Sequence, residues 1–277
     1  VDVYPVTWIQ KHFLVDPATG LPRTPSLFFV DFPANADCDK ICNASRSLIQ
    51  LFDIFRTVFV QAAGNFYQVV LEELDIPISV IETEDISTAT RVLKEQDQQN
   101  PLQFGQGFLR FAVVKTRSAV RLVLRISHCL YDGLSFEHVV QSLHALYNGD
   151  RIPTQPKFVQ YVQHLTDSRK EGYDFWLSVL EESSMTVVET GRRAQQLSSP
   201  EGAWFVEKII KAVIPANSDG ITQATVFTTA STILLARMTG SSDITFSRLV
   251  SGRQSLPIND QHIVGPCTNI VPVRIRM

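Results

Sequence analysis

Apolar residues recur along this chain with two alternating periods, one near two and one near 3.6. A short apolar strand is predicted at 26–31 (SLFFVD), then a helix at 38–52 in which Ile41, Leu48, Ile49 and Phe52 provide the apolar positions. Strands at 57–60 and 66–71 flank QAAGN, a Gly-containing link that reads as a hairpin. A polar helix at 86–98 stops ahead of Pro101, and strands at 108–114 and 120–127 are joined by the charged turn KTRSA. Turn-rich sequence at 153–156 precedes helical spacing at 158–165 and 173–180. GRRAQQLSSPEG, at 191–202, is polar, lacks an apolar period and is expected to be a linker. Beyond it a strand at 204–213, a helix at 223–238 closed by Gly240, and strands at 243–250 and 269–276 are predicted. The alternation predicts an α/β protein of two lobes, 1–190 and 203–277, the second short of complete. A chain that starts at Val1 and stops at Met277 directly after a strand is expected to be a piece of a longer polypeptide.

The chemistry-bearing stretch is RISHCLYDGLSFEHVV, residues 125–140, where strand period gives way to helix period. Period two places Leu122, Leu124, Ile126 and His128 on one face and Arg121, Val123, Arg125 and Ser127 on the other, so His128 is expected to point inward. Gly133 is expected to supply a positive φ in the turn. Ser135 is expected to cap a helix on which Phe136, Val139, Val140, Leu143 and Tyr147 share a face and which Asn148-Gly149 ends. An imidazole beside a helix N-terminus, where unpaired N–H groups favour developing negative charge, suits acyl transfer. On these residues alone, a histidine packed into the core is the commoner reading.

Composition narrows the classes. With 44% hydrophobic and 19% charged residues and a net charge of -3, the chain offers no basic surface for nucleic acid or anionic membrane. No apolar run approaches the roughly 18 residues of a membrane span, and no secretion signal opens the chain, so a cytoplasmic protein is expected. Cys38 and Cys42 lack two further ligands for zinc. Cys129 neighbours His128 on the chain, so the two side chains are expected to diverge, and a triad of Ser127, His128 and Asp132 lacks a G-x-S-x-G elbow. His138 and His144 lie six apart and cannot share a metal. Trp8, Phe13, Trp176 and Trp204 are read as core, and Arg192-Arg193 as a solvated pair.

SHCLYDGLS resembles the H-H-x-x-x-D-G motif of condensation domains from nonribosomal peptide synthetases, with His128, Asp132 and Gly133 at matching positions. VDVYPVTWIQKHFL, FRTVF, YDFWLSVL, DITFSRLVSGR and VGPCTNIVPVRIR are similar, in order, to further segments of that family. Ser127 stands where the family has its first histidine, and this form resembles the terminal, cyclising domains of fungal synthetases. The resemblance implies a two-lobed chloramphenicol-acetyltransferase-like α/β fold. It also implies amide formation from a peptidyl thioester carried on the phosphopantetheine arm of a peptidyl carrier protein, with no cofactor bound by the domain itself. His128 would position the attacking amine and take its proton, and Gly133 and Ser135 would supply oxyanion donors. Asp132 would be structural, paired with Arg253 or, as runner-up, Arg56. Ser127 would support the site, and Asn269 and Cys267 would line the substrate tunnel. Chain extension between two carrier-bound substrates, and a catalytically silent binding domain, remain open beside cyclisation.

Overall fold

The computed structural model describes residues 1–188, 220–257 and 262–277. The expected linker at 191–202 and strand at 204–213 lie outside the described residues. The chain divides into two compact units, Val1–Arg169 with Val250–Asn269, and Lys170–Leu249 with Ile270–Met277. This partition differs from the linear 1–190 and 203–277. The segment 250–269 belongs with the first unit, and its Arg253 pairs there with Asp132 of the His128 turn.

In the first unit, strand β2 (Ser26–Pro33) pairs antiparallel with β7 (Ala119–Ile126), which pairs antiparallel with β6 (Leu109–Lys115); β6 pairs parallel with β5 (Ile78–Glu82). Both faces of this sheet are buried, which is why β7 carries apolar residues at successive positions. Leu122, Leu124 and Ile126 join the main core with helices α2 (Cys38–Leu51) and α4 (Gly133–Asn148). On the other face, Val123 packs with Ala112 and Val114 against Ala89 and Leu93 of α3 (Ile86–Gln99). Arg125, also on that face, is buried because Asp97 of α3 takes its guanidinium at 2.9 Å.

A second sheet orders β1 (Asp2–Pro5), β4 (Asn65–Val70) and β3 (Thr57–Ala62). The expected hairpin is present, and its turn places Ala63 and Gly64 at φ 49° and 76°, the twist that right-handed strands need. Helix α1 (Trp8–Leu14) starts on Thr7, which accepts from the Gln10 amide. Helix α5 (Phe158–Asp167) completes the unit's helices, with Phe158 and Tyr161 buried.

The second unit contains α6 (Arg169–Leu180), α7 (Gln223–Thr239), and the paired strands β8 (Asp243–Val250) and β9 (Asn269–Arg276). Asp243 accepts from Arg274 of β9, fixing the two strands at one end. The helical spacing expected at 173–180 is present in α6, but Tyr173, Phe175 and Leu177 are exposed and Trp176, read as core, is half-buried. No helix of the described residues is long and apolar enough to cross a membrane.

Candidate active site

The site grows from the end of β7. Ile126 is the last residue of β7 paired on both sides, to Ser26 and to Leu109. The Ser127 amide then donates to the Phe108 carbonyl (3.0 Å), and the chain turns into a 3-10 segment, His128–Leu130, closed by Leu130 N–H to Ser127 O (3.0 Å). His128 therefore leaves the alternation that was expected to bury it, and it is half-buried.

Its ring lies between two aromatic faces. Phe13 of α1 is stacked on it with centroids 3.9 Å apart and planes 3° from parallel, and Tyr131 stacks at 4.6 Å and 10°. Nδ1 lies 3.0 Å from the Tyr131 carbonyl oxygen. A carbonyl can only accept, so Nδ1 is the donor here and Nε2 is the ring nitrogen left to take up a proton. Burial raises the Tyr131 phenol above its ordinary range, which keeps that neighbour neutral.

Asp132 opens α4. It is the N-cap, accepting from Ser135 N–H at 2.9 Å, while Ser135 Oγ accepts from Asp132 N–H at 2.9 Å. This corrects the expected cap at Ser135, which is the third residue of the helix instead. It also removes Ser135 N–H as an oxyanion donor, since that group is committed to the Asp132 carboxylate. Gly133 is the first helical residue and is absent from the positive-φ glycines, so its expected turn conformation is corrected too. A Cβ built on Gly133 meets nothing within 4 Å. The amides of Gly133 and Leu134, at the first two helical positions, are the ones with no acceptor in their own helix.

The Asp132 carboxylate is 1% exposed and accepts five hydrogen bonds. Besides Ser135, Arg253 binds it bidentately, Nη1 to Oδ2 at 2.7 Å and Nη2 to Oδ1 at 3.0 Å. The Cys267 and Thr268 amides donate to Oδ2 at 2.9 and 3.1 Å. Arg253 Nη2 donates further to the Ile263 and Gly265 carbonyls, both at 3.1 Å. Both carboxylate oxygens are thus taken up by protein donors, and Arg253 is the partner that the resemblance implied. The runner-up partner is corrected: Arg56 donates to the carbonyls of Leu71 and Glu72.

The remaining expected residues fall into place unevenly. Ser127 is buried, with Oγ 3.1 Å from Cys129 Sγ. Cys129 is fully buried, and burial pushes its thiol up to about 12, so it is inert as a nucleophile. Cys267 has no exposed surface; its backbone serves the site, through the amide on Asp132 and a carbonyl accepting from Tyr161 Oη at 2.7 Å. Its side chain therefore lines no open passage. Asn269, the first residue of β9, is half-buried. His138 Nε2 sits 2.8 Å from Gln155 Oε1, whereas His144 is exposed. Among the described residues no three side chains are grouped to hold a metal. A cavity of about 340 Å³ beside the start of α4 is lined by Leu134, Ser135, His138, Arg253, Gln254 and His262 among others.

Two partners of the imidazole were not legible as such. Tyr131 holds Nδ1 through its backbone, which no side-chain pattern reveals. Phe13 was assigned to the core, and the only signal pointing elsewhere was its place in the opening VDVYPVTWIQKHFL segment. Trp8 from the same helix is 61% exposed, against the core expected for it.

A half-buried histidine stacked between two aromatic faces thus stands next to a helix start held by a buried ion pair. The solved structure of holo T3CT shares the fold, with a TM-score of 0.82 and 26% identity over 99% of this chain and 62% of that one. The starter condensation domain of rhizomide synthetase superposes with a TM-score of 0.76 at 19% identity, over 100% of this chain and 67% of that one. The fold is thus the mixed α/β, chloramphenicol-acetyltransferase-like fold of condensation domains. A family model for the condensation domain matches residues 2–277. Relatives agree: PF 1022-synthetase of Rosellinia sp. is 49% identical over 285 residues, and cyclosporin synthetase of Tolypocladium inflatum 51% over 280. Enniatin synthase of Fusarium equiseti is 45% identical over 280 residues. Each match covers 100% of this chain, which spans 9%, 2% and 9% of those proteins respectively. The chain belongs to the condensation-domain family of nonribosomal peptide synthetases.

Proposed function

We propose that this domain catalyses acyl transfer from a peptidyl thioester on the phosphopantetheine arm of a carrier protein to a nucleophile of the same peptide, closing a ring and releasing it. The observation that carries the chemistry is the Nδ1 contact to the Tyr131 carbonyl, which leaves Nε2 to accept a proton. The nucleophile is an amine, or a hydroxyl where an ester is made. Its lone pair attacks the thioester carbon, and its proton passes to Nε2. The C–S bond then breaks, and the thiolate leaves with that proton. General-base assistance of this kind contributes about 10²- to 10⁴-fold. The free amides at the start of α4 face the same task as oxyanion donors, each worth about 10²- to 10³-fold. Since a thioester is already activated, holding nucleophile and carbonyl together also supplies much of the acceleration.

Cyclisation is favoured over chain extension by Ser127 at the position of the family's first histidine, and by similarity to beauvericin and bassianolide nonribosomal cyclodepsipeptide synthetases of Beauveria bassiana, 45% and 40% identical. The domain needs no cofactor of its own in this scheme, and its partners are the carrier protein and its tethered peptide. The test uses the domain in its full synthetase, or joined to its carrier, with peptidyl thioesters loaded and products followed by intact mass spectrometry. His128→Ala is expected to retain the fold and to slow cyclic release by about 100-fold or more. Undiminished cyclic product from that variant overturns the chemical role and leaves a silent binding domain. Acylation of an added downstream aminoacyl carrier, in place of ring closure, overturns the cyclising assignment and establishes chain extension.

A further inference from the structure

Helix α1 carries a device that reaches the catalytic turn from outside the motif. Gln10 is fully buried, as is Gln68 of β4, and their side-chain amides pair reciprocally: Gln10 Nε2 donates to Gln68 Oε1 at 2.9 Å, and Gln68 Nε2 to Gln10 Oε1 at 3.0 Å. The second hydrogen of Gln68 goes to the Pro5 carbonyl (3.0 Å), and Gln10 Oε1 also accepts from Thr7 N–H (2.9 Å). The second hydrogen of Gln10 goes to the carbonyl of Cys129, at 3.3 Å. Cys129 follows His128 directly. This bond ties the residue after the histidine to α1, and Phe13, three residues on and on the same side of the helix, presses its ring on the imidazole.

Burying two primary amides is costly unless every donor is used. Here all four amide hydrogens are used, and the last bond is spent on the turn that carries His128. A leucine pair could fill the same space but could not take up the Thr7 amide, the Pro5 carbonyl and the Cys129 carbonyl. We propose that Gln10, braced by Gln68, and Phe13 are positioning residues that set the depth and rotation of the His128 ring, so that Nδ1 meets the Tyr131 carbonyl and Nε2 faces the substrate. This rests on the acyl-transfer reading only for its effect on rate; the effect on the ring is independent of it.

The test is a double variant, Gln10→Leu with Gln68→Leu. It removes both partners of the buried pair together, which costs less than removing one, and with them the bonds to Cys129, Pro5 and Thr7. Three quantities are read: the melting curve, the tautomer of His128 by ¹⁵N NMR at about pH 8.5, where free imidazole is neutral, and the single-turnover rate against carrier concentration. The His128 resonance is assigned with His128→Asn. The expected result is a folded protein whose His128 loses its exclusive Nδ1–H form, with a limiting rate at least about tenfold lower and an unchanged half-saturating concentration, because the reacting geometry and not carrier binding is disturbed. A folded double variant with the parental tautomer and a limiting rate within about twofold overturns the proposal. Should the double variant not fold, Phe13→Leu, which removes no hydrogen bond of the amide network, decides: an unchanged tautomer and rate there overturns it equally. If His128→Ala itself leaves the rate intact, the acyl-transfer reading has failed, and the tautomer measurement still settles the positioning role.

Discussion

The pairing of Asp132 with Arg253 is open to a quantitative test. Both side chains are buried, at 1% and 8% exposure, and joined by two bonds of 2.7 and 3.0 Å. Arg253→Ala leaves the carboxylate with the Ser135, Cys267 and Thr268 amides but no counter-charge, and it strands the Ile263 and Gly265 carbonyls. Asp132→Ala strands a buried guanidinium and removes the α4 cap. Removing one partner of a buried pair costs about 3–5 kcal/mol. For a unit of 150–250 residues, each kcal/mol lowers Tm by about 2–4 °C, so either variant is expected to melt about 6–20 °C lower. Arg253→Lys, which places one point charge where a planar fork served two oxygens and two carbonyls, should fall between. Scanning calorimetry of the two single variants and the double variant separates the pair from its surroundings. The double variant should be much less destabilised than the sum of the singles, because neither charge is then left alone. Losses that add within about 0.5 kcal/mol would show that the two side chains act separately and refute the ion pair as the fastener of the turn.

Other expectations follow from single residues. Gly133→Ala meets no atom within 4 Å and sits in helical backbone, so stability should hold or rise by up to about 1 kcal/mol while cyclic release falls; equal loss of both would show that the glycine serves the fold. Asp53 is buried and desolvation raises its carboxyl above the ordinary 3.8, so the folded state favours the protonated acid and loses stability as pH rises through the raised value. Asp53→Asn keeps an acceptor for the Ile54 and Phe158 amides, and its Tm advantage over the parent should grow as pH climbs above 3.8; a difference independent of pH counts against this. Gly252 has φ 68°, and an added Cβ would lie 1.8 Å from the Cys267 carbonyl oxygen, so Gly252→Ala must displace the strand of backbone that donates to Asp132. A loss above about 2 kcal/mol is expected in urea denaturation, and a neutral result would contradict that packing.

Periodicity disclosed the strands and helices wherever one face was clearly apolar, as in α2, β6 and β7. It missed β1, α1 and β5, which are short or largely exposed, so that burial leaves little signature in their residues. The pairing of Asp132 with Arg253 was legible because a buried carboxylate needs a counter-charge and a family-like segment offered one. The orientation of His128 was not, since alternation was carried one residue past the last ladder bond and the ring's direction is set by a 3-10 turn. Phe13 does pack against the core, but its stacking on His128 was not legible, because sequence period reports which face of a helix is covered and not what covers it. Ser135 was given the cap for want of a reason to prefer Asp132, a residue equally able to accept.

The carboxylate at the head of α4 also has a consequence for how the molecule comes into being. Its guanidinium partner lies 121 residues later on the chain and its most distant amide donor 136 later. At roughly 5–20 residues per second on the ribosome, the aspartate waits about 6–24 s for that partner to be made. A nascent chain halted ahead of Arg253 is expected to hold the sheet and helices of the first 169 residues with its histidine turn still unfastened, and the full set of bonds to Asp132 forms only once translation has passed Thr268.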